Sequence, residues 1–458
     1  MNISEAEIVH TARNTSFKDL VPISSIRTKK DVKRLNEKGY ASACTKGDLK
    51  KAFPDLDITH LYISPNPLDA PCFYWDEDSL IIFAVYLYGT HAICINSEEL
   101  IEYIQHGVSS IRKRVEDKDF RFLGRNLNDR MRMEYLTMLI DKDLVSYAEF
   151  LSLYLFSDYG FADIGSSRLQ KMISKKSPED VATTEKLLQN LPDPVVVYRG
   201  VGSCSTGLDA AFSWTCNPGT ATFFAIRLGL EDAAIYQGLV KKSDILEYLD
   251  TSEAEIIAMP GSVYDIKKTE LYGLEWLAPM LQVISPMYHE YLENADYEAI
   301  PFQIHGSVHE KGHSMRVLLH CLILGQLYSI SSEDMDILAD AALYHDVGRT
   351  HEGVERGHGE ASAKLYEAGA EYPNDVSSFL MRYHCRPDNE GYTFIQQYYS
   401  ADSDHITLLF NIFKDADGLD RIRLSLNDVD FTQLRTEEAK RLPLIANLLF
   451  KNVKVPED

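Results

Sequence analysis

Apolar and polar positions divide the chain into stretches of different texture. Over residues 1–111 short apolar runs, "LYISP" (61–65), "SLIIFAVYLYG" (79–89) and "HAICIN" (91–96), read as strands broken by "NPLDAP" and "YWDEDS". From about 112 to 190 the spacing turns helical, as in "MEYLTMLI" (133–140) and "YAEFLSLYLF" (147–156). At "LPDPVVVYRG" (191–200) a proline-rich break gives way to a β-branched run, which predicts a strand ending at Arg199 and Gly200. "FSWTCNPGTATFFA" (212–225) and "TSEAEIIAMPGSV" (251–263) predict two more strands. In "HGSVHEKGHSMRVLLH" (305–320) the apolar positions, with His309 and His313, fit a helix again. We expect three regions: 1–111, α+β and of unknown role; 112–285, α+β; and 286–458.

Length and composition narrow the class. At 458 residues the chain holds two to four domains by a prior of about 100–200 residues each. The formal net charge of -23 argues against an extended nucleic-acid surface, because neutralising phosphates needs a basic one. "IRKRVEDKDFRFLGRNLNDRMR" (111–132) is basic, but its interleaved acids describe a solvated helix face. The seven cysteines, at 44, 72, 94, 204, 216, 321 and 385, never form CxxC, which fits a reducing compartment and a cytoplasmic location. "MNISEAEIVH" is no Sec signal, and export as an effector would need another route. The longest apolar run, 80–88, is far short of the ~20 residues that span a bilayer, so no membrane partner is expected.

The middle region carries the first chemical pattern: an arginine ending a strand (Arg199), a Ser-Trp-Thr strand (Ser213, Thr215) and a Glu-x-Glu before a further strand (Glu253, Glu255). In order and spacing it resembles the mono-ADP-ribosyltransferases of the arginine, serine, glutamate type. That resemblance implies a split β-sandwich with helices, NAD as cofactor, and a short helix after the serine strand ending in Phe-Ala. A planar guanidinium such as Arg199, beside Gly200, suits the pyrophosphate of NAD. Breaking the nicotinamide–ribose bond creates an oxocarbenium-like centre, which a fixed carboxylate stabilises. By resemblance Glu255 is that carboxylate, Ser213 braces the pocket and Thr215 completes the strand. Glu253 would share Glu255's face by strand alternation and orient or deprotonate the acceptor.

The last region places "AALYHDVGRT" (341–350) at the end of an apolar run, where two ionisable groups are costly unless paired or holding a metal. His313 precedes His345 and Asp346, and "NIFKDADGLDRIRL" (411–424) follows. The series resembles the HD-domain metal-dependent phosphohydrolases, which are all-helical. It implies His313, His345, Asp346 and Asp417 as the basic ligand set, with Asp346 the catalytic centre and candidate bridge. His358 in "ERGHGEASA" and His384 in "MRYHCRPD" resemble the extra ligands of binuclear members. Imidazole and carboxylate suit divalent manganese, iron, magnesium or nickel, and two ions are expected. Asp415 competes with Asp417 for the distal position, and the two, two apart on a helix, cannot face one point. Arg316 and Arg349 are candidates for substrate phosphate or for pairing with acids. His305 and His320 read as surface or satisfied core histidines.

Together these patterns describe an NAD-dependent transferase coupled to a metal phosphohydrolase or phosphodiesterase that processes an ADP-ribosylated or nucleotide product. The acceptor of ADP-ribose would be a protein or a nucleotide. The alternative is an HD nucleotide or cyclic-nucleotide phosphohydrolase beside a non-catalytic domain that binds NAD or another ligand.

Overall fold

The computed structural model describes residues 15–40, 43–65, 72–85, 97–120, 127–155, 164–202, 205–227, 232–296, 300, 302–303, 311–351, 353, 355, 357–424 and 429–452. The chain divides into two units, Met1–Glu185 and Lys186–Asp458.

In the first unit β1 (Val21–Pro22), β2 (Leu61–Ile63), β3 (Cys72–Asp76) and β4 (Ile81–Ala84) form an antiparallel sheet in sequence order. With them are helices α1 (Lys29–Asn36), α2 (Lys46–Ala52), α3 (Ser97–Glu116), α4 (Asp129–Asp141), α5 (Tyr147–Tyr154) and α6 (Ser166–Ile173). Tyr135 of α4 is fully buried and donates its hydroxyl to the Leu80 carbonyl at 2.6 Å, which ties α4 to the β3–β4 turn. "YWDEDS" was expected as a break, yet Tyr74–Asp76 belong to β3. Phe73 and Trp75 alternate into the core, so the turn begins only at Glu77. Likewise α3 begins at Ser97, with Leu100, Ile104 and Ile111 on its buried face. "HAICIN" lies outside the described residues.

The second unit opens in α7 (Pro178–Gln189) and builds an antiparallel sheet from β5 (Val195–Val201), β6 (Ser213–Thr215), β7 (Ala234–Val240), β8 (Ile245–Leu249), β9 (Glu255–Ala258) and β10 (Tyr264–Lys268), in the order β10-β7-β5-β6-β9-β8. β5 pairs with β7 along its whole length, whereas only Tyr198↔Thr215 joins β5 to β6. The described strands therefore form one hydrogen-bonded sheet whose two halves join at a single bridge. After β6, Asn217 caps α8 (Pro218–Ile226), its side chain accepting from the backbone N–H of Gly219 and Thr220. α8 lies directly on β5: a Cβ at Gly200 would stand 1.9 Å from the Ala221 carbonyl oxygen. Gly200 thus packs closely against this helix.

Helices α9 (Leu274–Asn294), α10 (Lys311–Leu327), α11 (Ser332–Tyr344), α12 (His358–Gly369), α13 (Asp375–Tyr383), α14 (Asp388–Tyr398), α15 (Ser403–Leu419), α16 (Glu437–Lys440) and α17 (Pro443–Asn452) complete the unit. α10 is buried on every side from Val317 to Gly325 and packs against α11 and α15. One core runs from Tyr198, Ala221 and Ile235 of the sheet side through α10, α11 and α15 to Leu449. Phe431 meets the Tyr198 ring edge-on at 5.7 Å within it. Neither expected boundary falls in a linker, since α3 runs across 111/112 and α9 across 285/286. No helix among the described residues is long and apolar enough to cross a membrane.

Candidate metal centre

Helix ends build the centre. His313 stands in the first turn of α10, His345 at the C-cap of α11 with Asp346 following, His358 at the start of α12, His384 at the C-cap of α13, and Asp417 in the last turn of α15. His345 Nε2 is 3.0 Å from His313 Nε2, and His358 Nε2 is 2.8 Å from His384 Nε2. Asp346 lies between the two pairs. Its Oδ2 is 3.6 Å from His313 Nε2 and 3.8 Å from His345 Nε2, while its Oδ1 is 3.1 Å from His358 Nε2 and 3.6 Å from His384 Nε2. Asp417 Oδ1 joins the first pair at 3.3 Å from His313 Nε2.

The other ring nitrogens settle what these contacts are. His345 Nδ1 donates to the Ala342 carbonyl at 2.9 Å, His384 Nδ1 to that of Met381 at 2.7 Å, and His358 Nδ1 to that of Glu355. His313 Nδ1 donates to Asp420 at 2.8 Å. With the proton on Nδ1 in each ring, every Nε2 offers a lone pair. Two lone pairs facing at about 3 Å repel, and a cation between them turns repulsion into ligation. Groups of His313, His345 and Asp417, and of His345, Asp346 and His384, each bring ligand atoms within 4.8 Å of one another. Neutral imidazoles and carboxylates in this mixture suit a divalent first-row ion or magnesium.

The electrostatics differ between the rings. Burial pushes the His345 imidazole down to about 3, so it is neutral and able to ligate. Burial also opposes charge on His313, but Asp417 and Asp420 outweigh it and raise this ring. Asp417, though desolvated, is held well below the usual carboxylate range by the surrounding histidines, His313 foremost. The carboxylates therefore favour positive charge at the centre, while His345 stays neutral.

Sequence reasoning missed Asp420. It is fully buried beneath His313 and also receives Arg316, Nε at 2.5 Å and Nη2 at 3.0 Å. Its signal was its position three residues after Asp417, on the same helical face. Arg316 is thereby committed to Asp420. Arg349 Nη1 donates to the carbonyls of His351 and Gly353, and its Nε lies 3.7 Å from Asp346 Oδ2. Asp415 points away to accept from the backbone N–H of Arg435 and Thr436 and from the Thr436 hydroxyl. His320 is buried as a core residue, but neither ring nitrogen has a hydrogen-bond partner among the described residues. His305 and His309 lie outside the described residues.

Residues 311–422 match the family model described as HD domain. This stretch is an HD domain. All six ligand candidates fall inside it, and the family supplies the general chemistry of a metal-dependent phosphohydrolase. No curated protein and no solved structure matches the chain. The matched stretch lies within the helical part of the second unit, on the core it shares with the sheet.

On that sheet the second candidate group also meets. Arg199 Nη1 donates to the Ser213 carbonyl at 2.5 Å and Nη2 to that of Thr206 at 3.2 Å. The Ser213 hydroxyl donates to Glu255 Oε1 at 2.5 Å, and Glu255 is buried. Thr215 lies directly across from Glu255, and its hydroxyl reaches the Glu253 carbonyl at 2.5 Å. Glu253 itself departs from expectation. It sits in the turn before β9, followed by Ala254 at φ 45°, so strand alternation does not put its side chain beside that of Glu255.

Proposed function

We propose that the HD domain is a dinuclear metal phosphohydrolase in which Asp346 bridges the two ions. The observation that carries this reading is the division of the Asp346 oxygens between the His313–His345 and His358–His384 pairs. His313, His345, Asp346 and Asp417 would hold one ion, and His358, His384 and Asp346 the other. Such ions, when bound, neutralise phosphoryl oxygens and lower the pKa of a water so that it attacks phosphorus at neutral pH. The chain's own part is positional. Asp420 keeps the His313 proton on Nδ1, three backbone carbonyls do the same for the other rings, and Arg349 stands beside the bridging carboxylate. Substrates of the expected class are nucleotides or ADP-ribosylated products, whose phosphoester or pyrophosphate bond is cut. The test is metal content and hydrolysis of a nucleotide panel with manganese or chelator. Asp346→Ala should lose both bound ions and hydrolysis, and a variant that keeps its full metal complement would contradict the bridge.

A second reading concerns the sheet, and the contact of Arg199, Ser213 and Glu255 at a sheet held together by one bridge supports it. We propose that this group binds NAD and transfers ADP-ribose. Arg199 would anchor the pyrophosphate, Ser213 hold Glu255 in place, and Glu255 stabilise the oxocarbenium-like ribose. Product mass spectrometry after incubation with NAD, with manganese and with chelator, separates the readings. Nicotinamide in both samples, with further cleavage only with metal, supports one pathway. NAD intact in both means either that the acceptor is missing or that the sheet is a ligand-binding module, and turns the search for a nucleotide substrate to the HD domain. Glu255→Gln should abolish nicotinamide release with metal content unchanged.

A further inference from the structure

A thiol stands beside the second histidine pair. Cys385 follows His384 at the end of α13, and its sulfur and one ring nitrogen each of His358 and His384 lie within 4.8 Å of one another. Packing holds this group together. A Cβ at Gly359, next to His358, would come 2.3 Å from the Met381 carbonyl oxygen and 3.2 Å from the Cys385 sulfur, so α12 reaches α13 only through a glycine. His358 and His384 are both more than nine-tenths buried, and their Nε2 lone pairs face each other at 2.8 Å. These observations point to a cation at this pair independently of the cysteine.

The donor sets of the two positions differ. The first has two imidazoles and two carboxylates, Asp346 and Asp417. The second has two imidazoles and the other oxygen of Asp346. We infer that Cys385 is a ligand of the second ion, giving a His358, His384, Asp346, Cys385 set beside the nitrogen and oxygen set of the first. The inference rests on the dinuclear reading above. A thiolate is a soft donor, so the two positions are chemically unequal: the second favours zinc, iron or cobalt over magnesium, and the first accepts harder ions. The second position is also the one sensitive to thiol reagents.

Cobalt reports the difference without any assay of activity. Full-length protein is titrated with cobalt(II) and followed by absorption spectroscopy and metal analysis. The expected result is two cobalt ions per chain, with a thiolate-to-cobalt charge-transfer band in the near ultraviolet that grows with the second. Cys385→Ser should keep one ion and lose the band, whereas Cys321→Ser, which removes the buried thiol of α10, should keep it. X-ray absorption of the zinc-loaded wild type gives a reading that needs no variant, a sulfur scatterer at ~2.3 Å. A band absent from cobalt-loaded wild type or persisting in Cys385→Ser overturns the thiol ligand, as does a zinc spectrum without sulfur. Wild type that binds no cobalt overturns the dinuclear reading itself.

Discussion

Asp420 joins two requirements in one carboxylate: it fixes the His313 tautomer and neutralises the buried Arg316. Carboxylates behind metal-bound histidines commonly contribute about 10–100-fold in affinity. Asp420→Asn still accepts a hydrogen bond but removes the charge, so the first position should bind its ion about 10–100-fold more weakly, with the second little changed. Competitive metal titration checks it, and unchanged affinity at both positions would reduce Asp420 to a structural anion. His320 yields a pH prediction. Burial, with no hydrogen-bond partner for either nitrogen among the described residues, lowers its pKa to about 4. The unfolded chain, with a value near 6.5, then binds the proton better. This histidine therefore costs no stability above about pH 6.5 and progressively more as pH falls toward 4, up to about 3 kcal/mol. His320→Leu should flatten the decline in unfolding free energy between pH 7 and 4, as measured by urea denaturation. An equally steep decline in the variant would place the titration elsewhere. His313, His345, His358, His384 and Asp417 could be picked out from the sequence because the series as a whole resembles the HD pattern, and the structure brings them together. Asp420 could not, since its partner His313 lies more than a hundred residues away and only the short turn after α15 brings them together. Glu253 departs for the opposite reason: strand alternation begins only at Glu255, after the turn through Ala254.

Among the elements, β5 and α8 depend most directly on one residue. The Cβ of Gly200→Ala would meet backbone, the Ala221 carbonyl at 1.9 Å and the Ala225 nitrogen at 2.6 Å, with no flexible side chain to yield. Helix and strand must separate, and overpacking of this kind costs roughly 1–3 kcal/mol. The urea midpoint should fall accordingly, and a midpoint equal to wild type would mean that α8 is free to shift. β5, β6 and β9 could be read from the sequence, but their arrangement could not. β-branched and aromatic runs mark a strand locally, as in "VVVYRG", "SWT" and "EIIA". The order β10-β7-β5-β6-β9-β8 depends on pairings between distant segments, and the single Tyr198↔Thr215 bridge leaves no trace in local composition. β3 was missed because its polar tail, "YWD", resembles a turn until Phe73 and Trp75 are seen to alternate into the core.

Across the second unit the sheet shares one buried cluster with the helical HD domain and keeps a second one of its own. Tyr198 of β5, Ala221 and Ala225 of α8 and Ile235 of β7 lie in the same buried cluster as α10, α11 and α15. Phe431, which packs on Tyr198, follows closely on the segment that carries Asp417 and Asp420. An ion that binds the native centre and not the unfolded chain stabilises whatever unfolds with that centre, by about 2.7 kcal/mol at a hundredfold excess over its dissociation constant. If the core is cooperative, this stabilisation reaches the sheet, far along the chain from any ligand. Trp214 of β6, buried beside Val195, Val197 and Ile256, is the natural reporter. With Trp75 and Trp276 replaced by phenylalanine, the thermal transition of Trp214 fluorescence should rise on adding manganese, return with chelator, and coincide with the loss of helical circular dichroism from the second unit. A Trp214 transition indifferent to metal, in protein whose metal content is verified, would mean that the sheet melts apart from the HD domain. The coincident shift would instead make the unit a single thermodynamic body, in which Asp346 and Asp417 of the candidate metal centre and the Arg199–Ser213–Glu255 group stand or unfold together.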